Sequence, residues 1–236
     1  MDLSGKLNDP ALRVKYTLES VSEWLKREPS MQIVICDGSG FDFSYLMKRN
    51  FPGASIECLS FMNDALQIKI HGKGFGEGEI IRHALSHSLL LGQSEVFIKC
   101  TAKLWVDNFQ DCLAQWNNFF VCGSYFANVF ALKKIKPVHA DTRFYISRKD
   151  VYLRCFSHAH SDLGNTPKAS IEHTFLKIII KNKIEHVFFR KPPVVCGMGG
   201  GSGKYYKQGR VRRLNDRIRN WIVQSSAEYK KLFCIA

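Results

Sequence analysis

The stretch Gln32-Ile33-Val34-Ile35-Cys36-Asp37-Gly38-Ser39-Gly40 decides the fold class. A short unbroken apolar run is the pattern of a strand covered on both faces, and Asp-Gly-Ser-Gly ends it in a tight turn. Upstream, Asp9-Pro10 opens a helix, with a capping carboxylate and then proline at the first helical position. Val14, Leu18, Val21 and Leu25 recur on one face of it, and Pro29 stops it. Helix, strand and glycine turn therefore follow one another at the start of the chain.

The same alternation continues. A helix is expected over residues 43–49, with Pro52-Gly53 as its break, and a strand over 56–61. Gly72-Lys73-Gly74-Phe75-Gly76-Glu77 reads as a glycine-rich turn. It opens a helix carrying Ile80, Ile81, Ala84, Leu85 and Leu89, closed by Gly92. Residues 95–100 form a third strand, 108–116 a helix, 119–132 one or two strands and 144–146 another. Ser170-Ile171-Glu172 starts a helix to about residue 181, with Phe175, Ile178 and Ile179 facing inward, and 186–189 is a last strand. A glycine loop at 197–203 and a basic amphipathic helix at 210–229 complete the chain. Strands alternating with helices predict an α/β fold with a mostly parallel central sheet flanked by helices. Ligands bind such sheets beyond the carboxyl ends of the strands.

Hydrophobic residues make up 45% of the 236, enough to build a sizeable core. The net charge of +13 fits three kinds of partner: nucleic acid, an anionic membrane or a phosphate-rich ligand. No apolar stretch approaches the roughly 18 residues of a spanning helix. Residues 1–7 carry no signal-peptide core, which predicts a cytosolic location. The eight cysteines form no C-x-x-C pair and mostly lie inside apolar runs, as buried hydrophobes do; neither a disulfide framework nor a zinc site is expected.

Several residue groups carry candidate chemistry, each beside a plainer reading. Asp37 and Ser39 can hold a nucleoside or simply make a strand-to-helix turn. Lys73, beside a helix N-terminus, suits a diphosphate or stands in solvent. Lys99, Thr101 and Lys103 share one face of a strand, and grip phosphate or protect a sheet edge. His158, His160 and Asp162 are closely spaced metal-ligand types in a loop. Glu172 is a general base or a partner for the helix dipole. The five glycines between residues 197 and 203, followed by Lys204, make a phosphate nest, a lid or a linker. The last helix, with Arg210, Arg212, Arg213, Arg217 and Arg219, either lies on anionic lipid or packs its apolar side on the core. Walker A and kinase signatures are missing.

Taken in order, these segments resemble the bacterial glycosyltransferases of capsule, O-antigen and lipooligosaccharide assembly, a family similar to the GT-A fold. The resemblance rests on Asn8-Asp-Pro-Ala-Leu-Arg13 through Asp37-Gly-Ser39, Gly72–Glu77, Phe97-Ile-Lys99-Cys-Thr101-Ala-Lys103, Asp141-Thr-Arg143-Phe-Tyr145 and Ser170-Ile-Glu172-His173. It implies a GT-A-like catalytic domain over residues 1–204, followed by the basic helix over 205–236. It also implies a transferase that moves a sugar from an activated, nucleotide-linked donor to a hydroxyl of a surface glycan. Asp37, Ser39, Lys73, Lys99, Thr101 and Lys103 would bind the donor. Glu172 and Asp141 would be catalytic, and Arg143 and His173 would line the sugar or acceptor pocket. Relatives often carry Asp-x-Asp where this chain has Lys99-Cys100-Thr101, so either Mg2+ or Mn2+ binds without that motif or a lysine pair takes the cation's place. The expected partners are the sugar donor, a glycan or lipid-linked glycan acceptor and, peripherally, the inner face of an anionic membrane. A nucleic-acid-binding or nucleic-acid-modifying role is the alternative reading of the charge. No RNA-stacking motif accompanies the basic residues, so nucleic acid is not the expected partner.

Overall fold

Asp9 accepts a hydrogen bond from the amide of Ala11 at 2.8 Å and so starts α1, Pro10–Arg27. The computed structural model describes residues 9–163, 170–200, 203–207 and 209–235. Asn8 and the residues before it, Gly201 and Ser202 of the glycine loop, and the side chain of Arg210 lie outside the described residues. Val21 of α1 packs with Phe43 and Met47, and Val14, Leu18 and Leu25 join them over β1, Ile33–Asp37. Next come α2, Ser44–Asn50, and β2, Ile56–Ser60, which runs parallel to β1 in the register Ile33↔Ile56 to Asp37↔Ser60.

The segment expected as a glycine-rich turn is mostly helix. Asp64 caps α3, Ala65–His71, and only Gly72, at φ +83°, makes the turn into α4, Lys73–His87. Gly74, Gly76 and Gly78 lie inside α4 because its neighbours press close. A Cβ at 74 would stand 3.2 Å from Ile171, one at 76 would meet Ile68 at 2.7 Å, and one at 78 would meet His160 at 2.2 Å. The helix ends before Gly92, because Ser88 caps a separate short helix, α5, Leu89–Gly92.

There follow β3, Val96–Cys100; β4, Leu104–Val106; α6, Phe109–Leu113; and β5, Phe120–Ala127. Then come β6, Lys136–Arg148; α7, Lys149–Cys155; and α8, Ile171–Lys181. The chain continues with β7, Val195–Met198; β8, Tyr205–Tyr206; α9, Arg210–Gln224; and a 3-10 turn, Lys230–Leu232.

The fold is mixed α/β, but the sheet differs from the expected one. Parallel pairing of named strands is confined to β1–β2. β3-β6-β5 and β4-β7-β8 form two antiparallel sheets. The reason is local: β5 turns straight back into β6 through residues 128–135, and a parallel return needs a crossover of about a dozen residues or more. Asn128, at φ +62°, closes that tip by donating to the Lys134 carbonyl at 3.0 Å. The strand expected at 186–189 reduces to bridges at Phe188, to Cys122 and to Phe233.

β6 separates two cores by its period-two alternation. Tyr145 joins Phe120, Phe156 and Phe175 on one side, while Phe144 and Ile146 join Trp24, Phe109 and Phe189 on the other. Phe233 and Cys234, near the end of the chain, enter one core each. All eight cysteines are free thiols, and burial pushes those of Cys100 and Cys112 up to about 12. No helix among the described residues is long and apolar enough to cross a membrane.

Candidate functional site

The carboxyl ends of β1 and β3 carry the charged residues singled out from the sequence. Asp37 is fully engaged there. Its carboxylate accepts from Arg13 at 2.9 Å, from the Ser39 amide at 2.7 Å and hydroxyl at 2.5 Å, and from the Phe41 amide at 3.3 Å. Arg13 also donates to the Ser39 hydroxyl at 3.1 Å. Asp37 and Ser39 thus fix the turn and hold Arg13 beside it.

Lys99 is likewise consumed inside the protein. Its ammonium has three protons to give. They go to Glu77, to the Thr101 hydroxyl at 2.9 Å and to the Thr142 carbonyl at 2.6 Å. Its side chain is only 9% exposed. Lys99 ties α4, β3 and β6 together and has no proton left for a ligand.

Lys103 is different. It follows β3 in a left-handed turn, φ +71°, where a non-glycine residue is strained. β7 grips that turn: Met198 donates to the Lys103 carbonyl at 3.0 Å, and a Cβ at Gly197 would strike the same carbonyl at 2.2 Å. Burial lowers the pKa of the Lys103 ammonium, Arg13 and Lys73 lower it further, and Asp37 opposes them. Three cations therefore share one field with a single carboxylate. Lys73 sits in the first turn of α4, where unpaired amides and the helix dipole favour an anion. The first turn of α8 meets it, since Gly74 packs on Ile171.

A second cluster gathers where β6 leaves its β5 partner. Cys122 faces Tyr145 while the next residue, Gly123, faces Asp141, so residues 142–144 bulge. Bulges re-aim side chains and are common beside active sites. Asp141 takes Arg143 in two bonds, Nε to Oδ1 at 2.9 Å and Nη2 to Oδ2 at 2.6 Å. Burial pushes the Asp141 carboxyl up, yet the Arg143 bonds hold it below the usual range. A carboxylate so committed is a poor proton acceptor, and Asp141 serves to orient Arg143. The guanidinium lies 5.4 Å from the Tyr206 ring.

His139, two residues earlier, stacks on Tyr125 at 5.3 Å and meets the His173 ring edge-on at 6.0 Å. Burial lowers its pKa; Asp141 and Glu172 act the other way, and His173 and Arg143 lower it again. Glu172 and His173 are thus brought to His139, with Ser170 bonded to His173 Nδ1 at 2.8 Å.

A cavity of about 630 Å³ lies between β1 and β3, with α4 along it. Ile33 and Asp37 bond toward β2 through Ser55 and Phe61. The ladder therefore turns the backbone groups of Val34 and Cys36 to the cavity. Lys73, Glu77, Lys99 and Thr101 stand on its wall, and so does Asn63, whose buried Oδ1 has no partner.

The residues expected to bind a metal do not assemble. No group of three or more metal-ligating side chains occurs among the described residues. His160 is buried under Gly78 and beside Phe75. The Lys99-Cys100-Thr101 segment offers one ammonium and no carboxylate where a divalent ion needs anions, so this segment does not fit Mg2+ or Mn2+.

Sequence reasoning missed Arg13, Asn63, His139 and Tyr206. Arg13 and His139 had readable signals. Arg13 lies one helical turn beyond the Asp9 cap, and His139 precedes Asp141 by the two-residue period of a strand. No family model, curated protein or solved structure matches this chain.

Proposed function

We propose that the protein is a glycosyltransferase that moves a sugar from a nucleotide-linked donor to a glycan hydroxyl, on a GT-A-like scaffold. The observation that carries this reading is the convergence of Arg13, Lys73 and Lys103 at the β1 and β3 ends. Positive charge gathered at the first turns of α1 and α4 and in the turn after β3 suits the phosphates of a donor. The His139–Glu172 cluster holds candidate proton acceptors, and the first turn of α8 that carries Glu172 packs on the first turn of α4 through Ile171 and Gly74.

In the reaction, an acceptor hydroxyl oxygen attacks the anomeric carbon. The bond from that carbon to the phosphate oxygen breaks, and the nucleotide leaves with the electron pair. Glu172 takes the hydroxyl proton. Arg13, Lys73 and Lys103 stabilise the charge that develops on the departing phosphate. Arg143, oriented by Asp141, and His173 hold the sugar or acceptor. Lys99 and Thr101 keep β3, α4 and β6 in place.

The test is a thermal-shift series with UDP, GDP, dTDP, CMP and their sugars, with and without EDTA. A selective ligand at a hundredfold its Kd stabilises by about 2.7 kcal/mol. The expected result is a shift with one nucleotide class that survives EDTA and is lost on Lys103→Ala. No shift with any donor, together with a clear shift by oligonucleotides, would replace this reading with nucleic-acid binding.

A further inference from the structure

We propose that the outward face of α9, together with the tip between β5 and β6, docks the protein on an anionic lipid bilayer. An amphipathic helix on a globular domain normally turns its apolar stripe to the core. α9 sends only Ile222 and Val223, in its last turn, into the core and leaves its other apolar residues outward. Val211, Leu214, Ile218 and Trp221 recur at helical spacing as one stripe, and they are 75%, 57%, 39% and 69% exposed.

This orientation is fixed by polar bonds from the opposite side of the helix. Arg213 pairs with Asp107 at 2.8 Å, Asn220 donates to the Phe189 carbonyl at 3.1 Å, and Gln224 donates to the Arg190 carbonyl at 2.9 Å. Arg219 donates to the Phe126 carbonyl at 2.7 Å. Its guanidinium lies 5.1 Å from the Tyr125 ring and 5.5 Å from Phe130. That contact joins the helix to the tip, where Phe130 and Leu132 stand exposed beside Lys133 and Lys134.

The charge selects the occupant. Exposed Arg217 borders the apolar stripe, exposed Arg212 lies further round the same helix, and lysines follow the apolar tip. Apolar anchors rimmed by arginine and lysine suit acyl chains beneath anionic headgroups. A second copy of a chain at +13 would bring like charges together across the same face. The inference does not rest on sugar transfer.

The experiment is co-sedimentation of the full chain with phosphatidylcholine vesicles, with and without phosphatidylglycerol, while Trp221 emission is followed. The expected result is binding to the anionic vesicles only, weakened by salt, with a blue shift. Leu214→Glu/Ile218→Glu and Arg212→Glu/Arg217→Glu should each weaken binding by about tenfold or more. Both pairs are exposed, so their melting curves should match the parent's. Lys48→Glu/Arg49→Glu, on the exposed end of α2, should bind as the parent does. Equal losses in that control would reduce the effect to net charge and overturn the assignment of this face. Absence of vesicle binding, with a solution dimer that Leu214→Glu/Ile218→Glu dissolves, would make the occupant a second copy instead.

Discussion

Replacing Lys103 with glycine should separate folding from ligand binding at one position. The residue sits at φ +71°, a conformation that costs an L-residue roughly 1–2 kcal/mol. Glycine removes that strain but gives the unfolded chain more freedom, a loss of roughly 0.4–1 kcal/mol. It also deletes a half-buried ammonium whose pKa is held down first by burial and then by Arg13 and Lys73. The balance predicts unchanged stability or a gain of up to about 1.6 kcal/mol. Lys103→Ala keeps the strained backbone and should fall below Lys103→Gly. Urea unfolding followed by tryptophan emission measures both. The same two variants should lose the nucleotide-induced thermal shift. A loss of more than about 2 kcal/mol in Lys103→Gly would show that the side chain holds the fold, against the ordinary range for a released strained turn. An intact nucleotide shift would remove Lys103 from the site.

Lys99→Ala should behave in the opposite way, because it strands Glu77 and the Thr142 carbonyl. Breaking a buried pair costs about 3–5 kcal/mol, and Glu77 is 28% exposed, so about 2–3 kcal/mol is expected. Calorimetry should find Lys99→Ala/Glu77→Gln less damaged than Lys99→Ala, and a double variant that is worse by the full sum would deny the pairing. Acid should weaken the fold early. His83, His139 and His160 all have lowered pKa values, chiefly by burial, so the unfolded chain binds more protons. Stability is therefore full above the unfolded value of about 6.5 and falls as pH drops below it, until the folded values are passed. A urea midpoint flat from pH 7 to 5 would contradict this. Gly78→Ala drives a Cβ to 2.2 Å from His160, which is buried, and should cost about 1–3 kcal/mol by thermal melting.

The opening of the chain was legible because its signals are local. Asp9-Pro10, the apolar face of α1 and the run into Asp37 each act within one element. The sheet was less so. β6 runs for 13 residues, but His139, Asp141 and Arg143 interrupt its apolar pattern, and only Phe144–Ile146 stood out. β7 was absorbed into the glycine loop because Gly197 ends a run that pairs with β4, about 90 residues earlier in the chain. Site roles were least legible where partners are distant. Nothing near Lys99 in sequence announces Glu77 or Thr142, and these decide that it is structural. The amphipathy of α9 was plain, yet its direction depends on Asp107, Phe189 and Arg190.

The redistribution of roles follows from hydrogen-bond capacity. Polar groups nearest the sheet must be satisfied there, because an unpaired buried donor or acceptor costs about 1–3 kcal/mol. Asp37 and Lys99 stand at strand ends and Asp141 beside the β6 bulge, and they meet that demand with four, three and three bonds. What remains for a ligand must come from the joints between elements: the first turn of α4, the left-handed turn after β3 and the first turn of α8. Lys73, Lys103 and Glu172 occupy those joints. Among them Lys103 sits in a strained backbone, and its pKa is lowered by burial and by the neighbouring Arg13 and Lys73. Under the proposed function, strain and clustered positive charge are features of positions kept for binding. An anion placed among Arg13, Lys73 and Lys103 would relieve the repulsion, and under the proposed function that relief is the differential interaction a donor phosphate would use.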